Sequence, residues 1–279
     1  MSDAEVAVRV TDEAGPDGQA GAIRIITIDR PRALNAIDVA TMQALLSAFE
    51  ACGLAPRLRA VIVTGAGERA FVAGADVAAL AAMTPVEAHG FSRLGHRVGA
   101  AIEALPVPVI AAVNGYALGG GCELALACDF IYASTTARFG LTEARLGVIP
   151  GFGGTVRLAK RIGMARAKEL LFTAETVDAA EAARLGMVNR VLEPAALMSE
   201  ARRVASVICT RAPLAVTSAK RALHESADLT EAEALTIESD LFAALFATSD
   251  LRAGMRAFLD KGKADKLDKA GGPPVWQGR

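Results

Sequence analysis

The segment that runs from Asn114 to Cys128 contains residue types that acid–base chemistry requires. It passes through three consecutive glycines, 119–121, and continues into an apolar helical stretch in which Glu123 is the carboxylate. Burying an ionised carboxylate is costly, so a carboxylate is seldom kept in an apolar segment without a use. Glycines at the start of a helix leave its unpaired N–H groups open to close approach by a ligand. The segment therefore predicts the floor of an active site, with donors for a developing negative charge beside an acid–base group.

Polar groups in two other segments have roles that the local sequence leaves open. Glu143 ends a Phe-Gly-Leu-Thr-Glu segment, where it is either a second acid–base group or the cap of the following turn. Asp76 follows the small residues 73–75, which either belong to the site or form a plain turn into a helix. Glu123 itself is alternatively a buried structural carboxylate that pairs with an arginine or a helix N-terminus. Taken one at a time, these segments do not decide between the two interpretations.

Composition and charge argue against several classes of partner. The 279 residues carry a net charge of −1, which gives no reason to expect nucleic acid or an anionic membrane surface as the main partner. No run of about 18 uncharged apolar residues occurs, so a membrane-spanning helix is not expected. The first residues resemble neither a signal peptide nor an Arg-rich presequence. The four cysteines form no CxxC pair, which fits a reducing compartment, and we expect a cytoplasmic protein.

Motifs for bound cofactors and metals are incomplete. A dinucleotide-binding GxGxxG motif that starts at Gly119 needs glycine at position 124, which is Leu124, and no P-loop GK[ST] follows. A nucleophile elbow around Ser92 fails because Leu94 stands where the second glycine belongs. The three histidines form no HExxH or i, i+4 pair. We therefore predict neither a metal nor a redox cofactor.

Hydrophobic patterning predicts the elements that must position these groups. Strands alternate with helices up to about residue 193, which predicts a layered α/β unit, and only helices follow from Pro194. Asp38 and Thr84, the latter with Glu87 three residues on, are expected to cap two helices. Strands are expected at 6–10, 22–28, 60–64, 107–113, 129–134 and 187–192. Helices are expected at 39–52, 85–105, 179–185, 195–210, 213–226, 231–247 and 250–261, with a further one ending before Gly163.

Five motifs, taken together and in order, resemble the enoyl-CoA hydratase (crotonase) family. They are Arg-Pro-x-Ala-Leu-Asn-Ala, Ala-Phe-x-Ala-Gly-Ala-Asp-Val, Asn-Gly-Tyr-Ala-Leu-Gly-Gly-Gly-Cys-Glu-Leu-Ala, Phe-Gly-Leu-Thr-Glu-x-x-Leu-Gly-x-Ile-Pro-Gly-x-Gly-Gly-Thr and Phe-Ala-Thr-x-Asp-x-x-x-Gly-Met-x-Ala-Phe, and the match spans about residues 20–265. The resemblance implies an α/β fold in which repeated ββα units form a spiral. It also implies a helical C-terminal region that makes trimers, two of which commonly pair into a hexamer. We accordingly divide the chain into a spiral core with the active site (1–194), a helical region (195–265) and a mobile tail (266–279).

Catalytic roles are also implied by the resemblance. In the family, the backbone N–H groups at the positions of Ala75 and Gly120 form an oxyanion hole, which holds a thioester carbonyl while it becomes an enolate oxygen. The glutamate matching Glu123 orients and deprotonates water, and the one matching Glu143 exchanges the proton at C2. The implied enzyme is an enoyl-CoA hydratase, a hydro-lyase that interconverts trans-2-enoyl-CoA and 3-hydroxyacyl-CoA in fatty-acid or branched-chain acid breakdown. Coenzyme A is part of the substrate, so no separate cofactor is implied.

Further positions match the family's contacts with coenzyme A. One group is the turn that binds the nucleotide and pantetheine, and a second lines the adenine and pantetheine side. A third, near the C-terminus, reaches a neighbouring subunit's site, where a lysine supplies a point charge for phosphate. The first of these three groups is Arg32, Ala33 and Leu34, the second is Ala73, Gly74, Asp76 and Val77, and the third is Phe258 and Lys261. A separate segment, 78–84, has small residues, is rich in alanine and corresponds to the acyl pocket.

Two other activities stay open. The family includes Δ3,Δ2-enoyl-CoA isomerases and other enzymes that stabilise a thioester enolate, but many isomerases work with one acidic residue, so two glutamates favour hydration. One family branch binds AU-rich RNA through a lysine-rich helix. Here Lys160-Arg161 and Lys220-Arg221 are isolated pairs in a nearly neutral chain, which argues against RNA as a partner.

Overall fold

A computed structural model describes residues 7–16, 18, 22–261 and 276–278, without the side chain of Lys261. Residues 266–275 and 279 of the expected tail therefore lie outside the described residues. The strands are β1 (Val8–Glu13), β2 (Ile23–Ile28), β3 (Ala60–Gly65), β4 (Ala70–Val72), β5 (Val109–Val113), β6 (Tyr116–Leu118), β7 (Phe130–Ser134), β8 (Arg138–Gly140), β9 (Val177–Asp178) and β10 (Arg190–Leu192). The helices are α1 (Val39–Gly53), α2 (Val77–Ala81), α3 (Pro85–Ala104), α4 (Gly120–Ala127), α5 (Gly154–Ile162), α6 (Met164–Thr173), α7 (Ala179–Arg184), α8 (Pro194–Cys209), α9 (Pro213–Glu225), α10 (Glu231–Leu245) and α11 (Ser249–Lys261).

A six-stranded sheet forms the base of the core, in the order β1-β2-β3-β5-β7-β10. The hairpin of β1 and β2 is antiparallel, as expected, and the remaining neighbours are parallel. Strands β3 and β5 are buried along their whole length. This is the pattern of parallel strands with helices on both faces. One face packs against α1, α3 and α4, and the other packs against α8.

A smaller, four-stranded sheet has the order β4-β6-β8-β9. The chain repeatedly gives one strand to the large sheet, the next to the small sheet and then a helix, as in β3-β4-α2, β5-β6-α4 and β7-β8-α5. The predicted spiral of ββα units is therefore confirmed. The small-sheet strands were not predicted, because runs of two or three residues are too short to show a period-2 pattern.

Two helices begin where the sequence predicts capping. The carboxylate of Asp38 accepts the N–H of Thr41 at 2.8 Å, which starts α1. Thr84 and Glu87 form a reciprocal capping box at the start of α3, with the N–H of Thr84 2.8 Å from the Glu87 carboxylate. Caps of this kind stabilise a helix by about 1 kcal/mol each and fix the residue at which it begins. The register of α3 decides which of its residues face the site described below.

The helical C-terminal region is tied to the core at its near end. Helix α8 lies on the sheet, and on α9 the buried Lys220 donates to the Asp129 carboxylate at 2.8 Å. Residues 276–278 return to this region, where the N–H groups of Gln277 and Gly278 donate to the Asp250 carboxylate at 2.7 and 2.9 Å. The domain boundaries stay a prediction. Among the described helices, none is both long and apolar enough to cross a membrane.

Candidate active site

Glu123 lies in the first turn of α4, which the chain enters almost directly from β6. Gly119, between them, has φ of 48° and ψ of −123°, a backbone conformation that residues with a side chain rarely adopt. This sharp change of direction places the N-terminal N–H groups of α4 at the surface of the site, where the helix dipole favours negative charge. Every residue of α4 is buried, and Glu123 is only 2 % exposed. The acidic side chain is thus held within the apolar core.

Two backbone N–H groups hold the Glu123 carboxylate from the far side of the site. Those of Phe152 and Gly154 each donate to Oε1 at 2.7 Å. Both bonds use one oxygen, which leaves Oε2 for another partner. Burial raises the pKa of Glu123 to about 7 and the charge of Glu143 adds to the rise, although the two N–H donors and Arg157 oppose it. Glu123 therefore changes between its acid and base forms near neutral pH.

Glu143 approaches the same place from a third segment. It is the first residue of the 3-10 helix Glu143–Leu146, which follows β8. A Cβ placed on Gly119 would lie 3.0 Å from its Oε1, so this carboxylate rests against the start of α4. Its Oε2 is buried and has no hydrogen-bond partner among the described residues. Burial raises the pKa of Glu143, since the charged form is poorly solvated there.

Ala75 lies beside the start of α4. It forms an isolated parallel bridge with Ile37, in which the N–H of Ile37 donates to Gly74 and the N–H of Asp76 donates to Ile37, both at 2.9 Å. In this pattern the N–H of Ala75 itself points away from Ile37. A Cβ placed on Gly120 would lie 4.0 Å from the Ala75 nitrogen. The structure therefore places Ala75 next to Gly120, the two residues whose backbone amides were predicted to form an oxyanion hole.

An apolar pocket adjoins Gly120, with about 250 Å³ of empty space that includes open solvent at its mouth. Its wall is formed by residues of α1, α3 and α4, together with Ile37 before α1 and Phe152 before α5. The segment 78–84, which the resemblance assigned to the acyl pocket, does not contribute to this lining. The lining residues are Ile37, Met42, Gly95, Val98, Gly99, Gly120, Glu123, Leu124, Ala127 and Phe152.

Sequence reasoning missed the loop that leads into α5. Phe152 stands at an unspecified position of the fourth motif, yet its N–H binds Glu123 and its ring lines the pocket. Arg157 fixes this loop, because it donates to the Phe152 carbonyl oxygen at 2.8 Å and to the Glu103 carboxylate at 2.6 Å. The signal in the sequence was the glycine-rich run 151–154 directly before a helix, which presents unpaired N–H groups.

The residues expected to contact coenzyme A form two groups in the structure. The turn that contains Arg32 and Ala33 is a 3-10 helix, and the next residue, Leu34, accepts the N–H of Ala73 at 3.1 Å, so the first two predicted groups adjoin. Gly74 continues this strip, Asp76 caps α2 by accepting the N–H groups of Ala78 and Ala79, and Val77 is 54 % exposed.

The C-terminal positions are not joined to this strip by any contact that the structure describes within one chain. Phe258 lies on α11 and is 77 % exposed, and the side chain of Lys261 lies outside the described residues. Their role at a neighbouring subunit stays a prediction. Over the described residues, no group of three or more His, Cys, Asp or Glu side chains is arranged to hold a metal ion.

Comparison with known proteins agrees with this geometry. The model of the enoyl-CoA hydratase/isomerase family matches residues 18–268. The chain is 44 % identical over 247 residues to a crotonyl-CoA hydratase from Syntrophomonas wolfei (88 % of this chain and 95 % of that protein). It is 44 % identical over 245 residues to a short-chain-enoyl-CoA hydratase from Clostridium acetobutylicum (88 % and 94 %). A crystal structure of enoyl-CoA hydratase from Bacillus anthracis superposes with a TM-score of 0.89 at 34 % identity, covering 98 % of this chain and 100 % of that one. Sequence, fold and site geometry together place this chain in the enoyl-CoA hydratase/isomerase family.

Proposed function

We propose that this protein is an enoyl-CoA hydratase, which adds water reversibly and with syn geometry to trans-2-enoyl-CoA and gives 3-hydroxyacyl-CoA. The observation that carries the proposal is the meeting of two carboxylates, the buried Glu123 and the partly buried Glu143, at the start of α4 beside Ala75. Relatives named as crotonyl-CoA and short-chain-enoyl-CoA hydratases, at 44 % identity, support the same reaction.

The amides of Ala75 and Gly120 polarise the thioester carbonyl in this mechanism. As water adds at C3, negative charge moves onto the carbonyl oxygen, and an N–H donor there stabilises the transition state more than the ground state. Removal of one such donor typically slows a reaction about 10²–10³-fold, or roughly 3 kcal/mol. Gly120 adds the positive end of the α4 dipole to its hydrogen bond.

The two glutamates divide the proton transfers. The two N–H donors on Oε1 limit the rise in the pKa of Glu123 to about 7, so part of the protein carries it as a carboxylate near neutral pH, and Oε2 can then take a proton from water. Glu143 keeps a buried oxygen with no partner among the described residues, which favours its protonated form and a proton transfer to C2. Different environments for two neighbouring carboxyl groups are the usual basis of such a division. Because the groups interact, the pair titrates as a unit.

The alternative interpretation of Glu123 as a structural carboxylate accounts for one of its oxygens only. Its Oε1 does satisfy the start of α5, in the manner of a helix cap. A purely structural role gives no reason for a second carboxylate, Glu143, to lie against the start of α4 with a buried oxygen that has no partner among the described residues.

Hydration is tested by mixing the purified protein with crotonyl-CoA and following the loss of enoyl-thioester absorbance, with identification of 3-hydroxybutyryl-CoA as product. Stable absorbance with this substrate and with longer enoyl-CoAs would refute the proposal. A parallel assay with 3-enoyl-CoA distinguishes an isomerase, which produces the conjugated thioester instead of consuming it.

We also propose that the chain assembles into trimers, or pairs of trimers, in the cytoplasm. Apolar side chains that a single chain leaves exposed on α10, at its C-cap and on α11 support a further interface; they are Leu235, Phe242, Phe246, Met255, Phe258 and Leu259. All four cysteines are buried as thiols rather than disulfides, which suits a reducing compartment. Light scattering coupled to size exclusion would give the mass of the assembly, and a monomer at micromolar concentration would contradict the interface.

A further inference from the structure

The Phe152 ring occupies a slot between two helices that pack against each other, α3 and α4. The slot exists because each helix has a glycine there. A Cβ placed on Gly95 would lie 2.5 Å from Cγ of the ring, and one on Gly120 would lie 2.7 Å from Cε2. Side-chain carbons do not approach this closely without displacement, so both glycines are needed to admit the ring. The face of Gly120 that bears no side chain is thus covered by an aromatic ring.

The ring is held in place rather than free to swing. Phe91 meets it edge-on, with ring centroids 5.0 Å apart and planes at 88°. The backbone on either side is bound, since the Phe152 N–H donates to Glu123 and its carbonyl oxygen accepts from Arg157. The Arg157 guanidinium in turn lies against Gly99, one helical turn beyond Gly95, where an added Cβ would be 2.5 Å from Nη2. The loop and α3 are therefore fitted to each other at two successive turns.

This position sets the ring beside the path of the acyl group. The pocket that adjoins Gly120, whose apolar lining includes Val98 and Leu124, offers space to the acyl group of a thioester whose carbonyl oxygen lies at Gly120. Phe152 shares this lining and touches Gly120, so it stands where the chain passes from the reacting carbons to the tail. We propose that the Phe152 ring limits acyl length, so that the site selects short 2-enoyl thioesters over long ones. The inference depends on the proposed function only in that an acyl thioester binds at Gly120.

The test measures binding and turnover separately in the full-length protein. Calorimetry with saturated butanoyl-, hexanoyl-, octanoyl- and decanoyl-CoA gives affinities that need no catalysis, and kcat/KM for the matching trans-2-enoyl-CoAs gives specificity. We expect the wild type to favour the short thioesters. Phe152→Ala should raise the long-to-short ratio at least about tenfold in both series, since even one methylene in an apolar pocket changes specificity by this factor. Phe152→Leu, which keeps more of the apolar volume, should give an intermediate ratio.

Phe172→Ala is the matched control, because Phe172 lies on α6, is 76 % exposed and does not line the pocket. It should leave the ratio at the wild-type value. The inference is overturned if wild-type affinity does not decline from butanoyl- to decanoyl-CoA, or if both Phe152 variants keep the wild-type ratio. Should Phe152→Ala fail to fold, Phe152→Leu alone decides. A wild-type protein that hydrates nothing would refute the proposed function, whereas the binding series would still accept or reject the role of the ring.

Discussion

Replacement of Glu123 by glutamine separates the chemistry of this side chain from its structural role. Glutamine keeps a side-chain oxygen that can accept the N–H groups of Phe152 and Gly154, so the loop and α5 should stay in place. It cannot take a proton from water. A general acid–base group typically contributes about 10²–10⁴ in rate, so we expect Glu123→Gln to lower kcat for hydration by such a factor. Affinity for butanoyl-CoA should change little, because the oxyanion amides remain.

The same substitution should increase stability in alkaline solution. Folding raises the pKa of Glu123 from 4.5 to about 7, which means that the folded state favours the protonated carboxyl. Its stabilising contribution is complete below pH 4.5 and is lost as the pH rises through about 7. One pKa unit corresponds to about 1.4 kcal/mol, so the contribution is about 3 kcal/mol. Glutamine does not titrate, so the variant does not lose this contribution as the pH rises. The unfolding free energy of the variant minus that of the wild type should therefore increase by about this amount from about pH 4 to about pH 8.

The assay is urea unfolding of both proteins at equal protomer concentration across this pH range, together with crotonyl-CoA turnover. Glu50→Gln, on the exposed side of α1, is the matched control and should follow the pH dependence of the wild type. Wild-type turnover in Glu123→Gln would refute the role as base. A stability difference that stays constant with pH would refute the buried titrating carboxyl.

Three further predictions concern Glu143, Gly121 and Arg157, and two of them include a comparison variant. Glu143→Gln should lower hydration about 10²–10⁴-fold and abolish exchange of the C2 proton of butanoyl-CoA with deuterium, and retained exchange would contradict its role. Gly121→Ala should lower the melting temperature, because the added Cβ would lie 2.7 Å from a valine Cβ on β4. Gly90→Ala is the control: open space surrounds Gly90, so this substitution should not destabilise α3. Arg157→Gln should move the rise of kcat/KM to higher pH, because this cation lowers the pKa of Glu123. Arg157→Lys should restore most of the wild-type profile, and equal profiles for both variants would argue against the charge.

Short-range signals in the sequence were sufficient for the helices and for the family. Asp38 and Thr84 act on backbone N–H groups within three residues, so their capping could be predicted without knowledge of the fold. The long helices of the C-terminal region agree with the predicted spans to within a few residues. The elements that were missed or given wrong bounds are short or follow the preceding element almost without a loop. Helix α6 begins directly after Gly163 and was not predicted, and the strand predicted at 187–192 is reduced to β10.

The sequence by itself determined which residues are chemically able to act: a carboxylate in an apolar helix, glycines at its start and a second carboxylate downstream. Only the tertiary structure decided how they act, because their partners are distant in the chain. Phe152 binds Glu123 from 29 positions away, and the ring fits its slot only because α3 and α4 each lack a side chain at the contact. Such contacts depend on the packing of separate elements, and no local pattern around Glu123 encodes them.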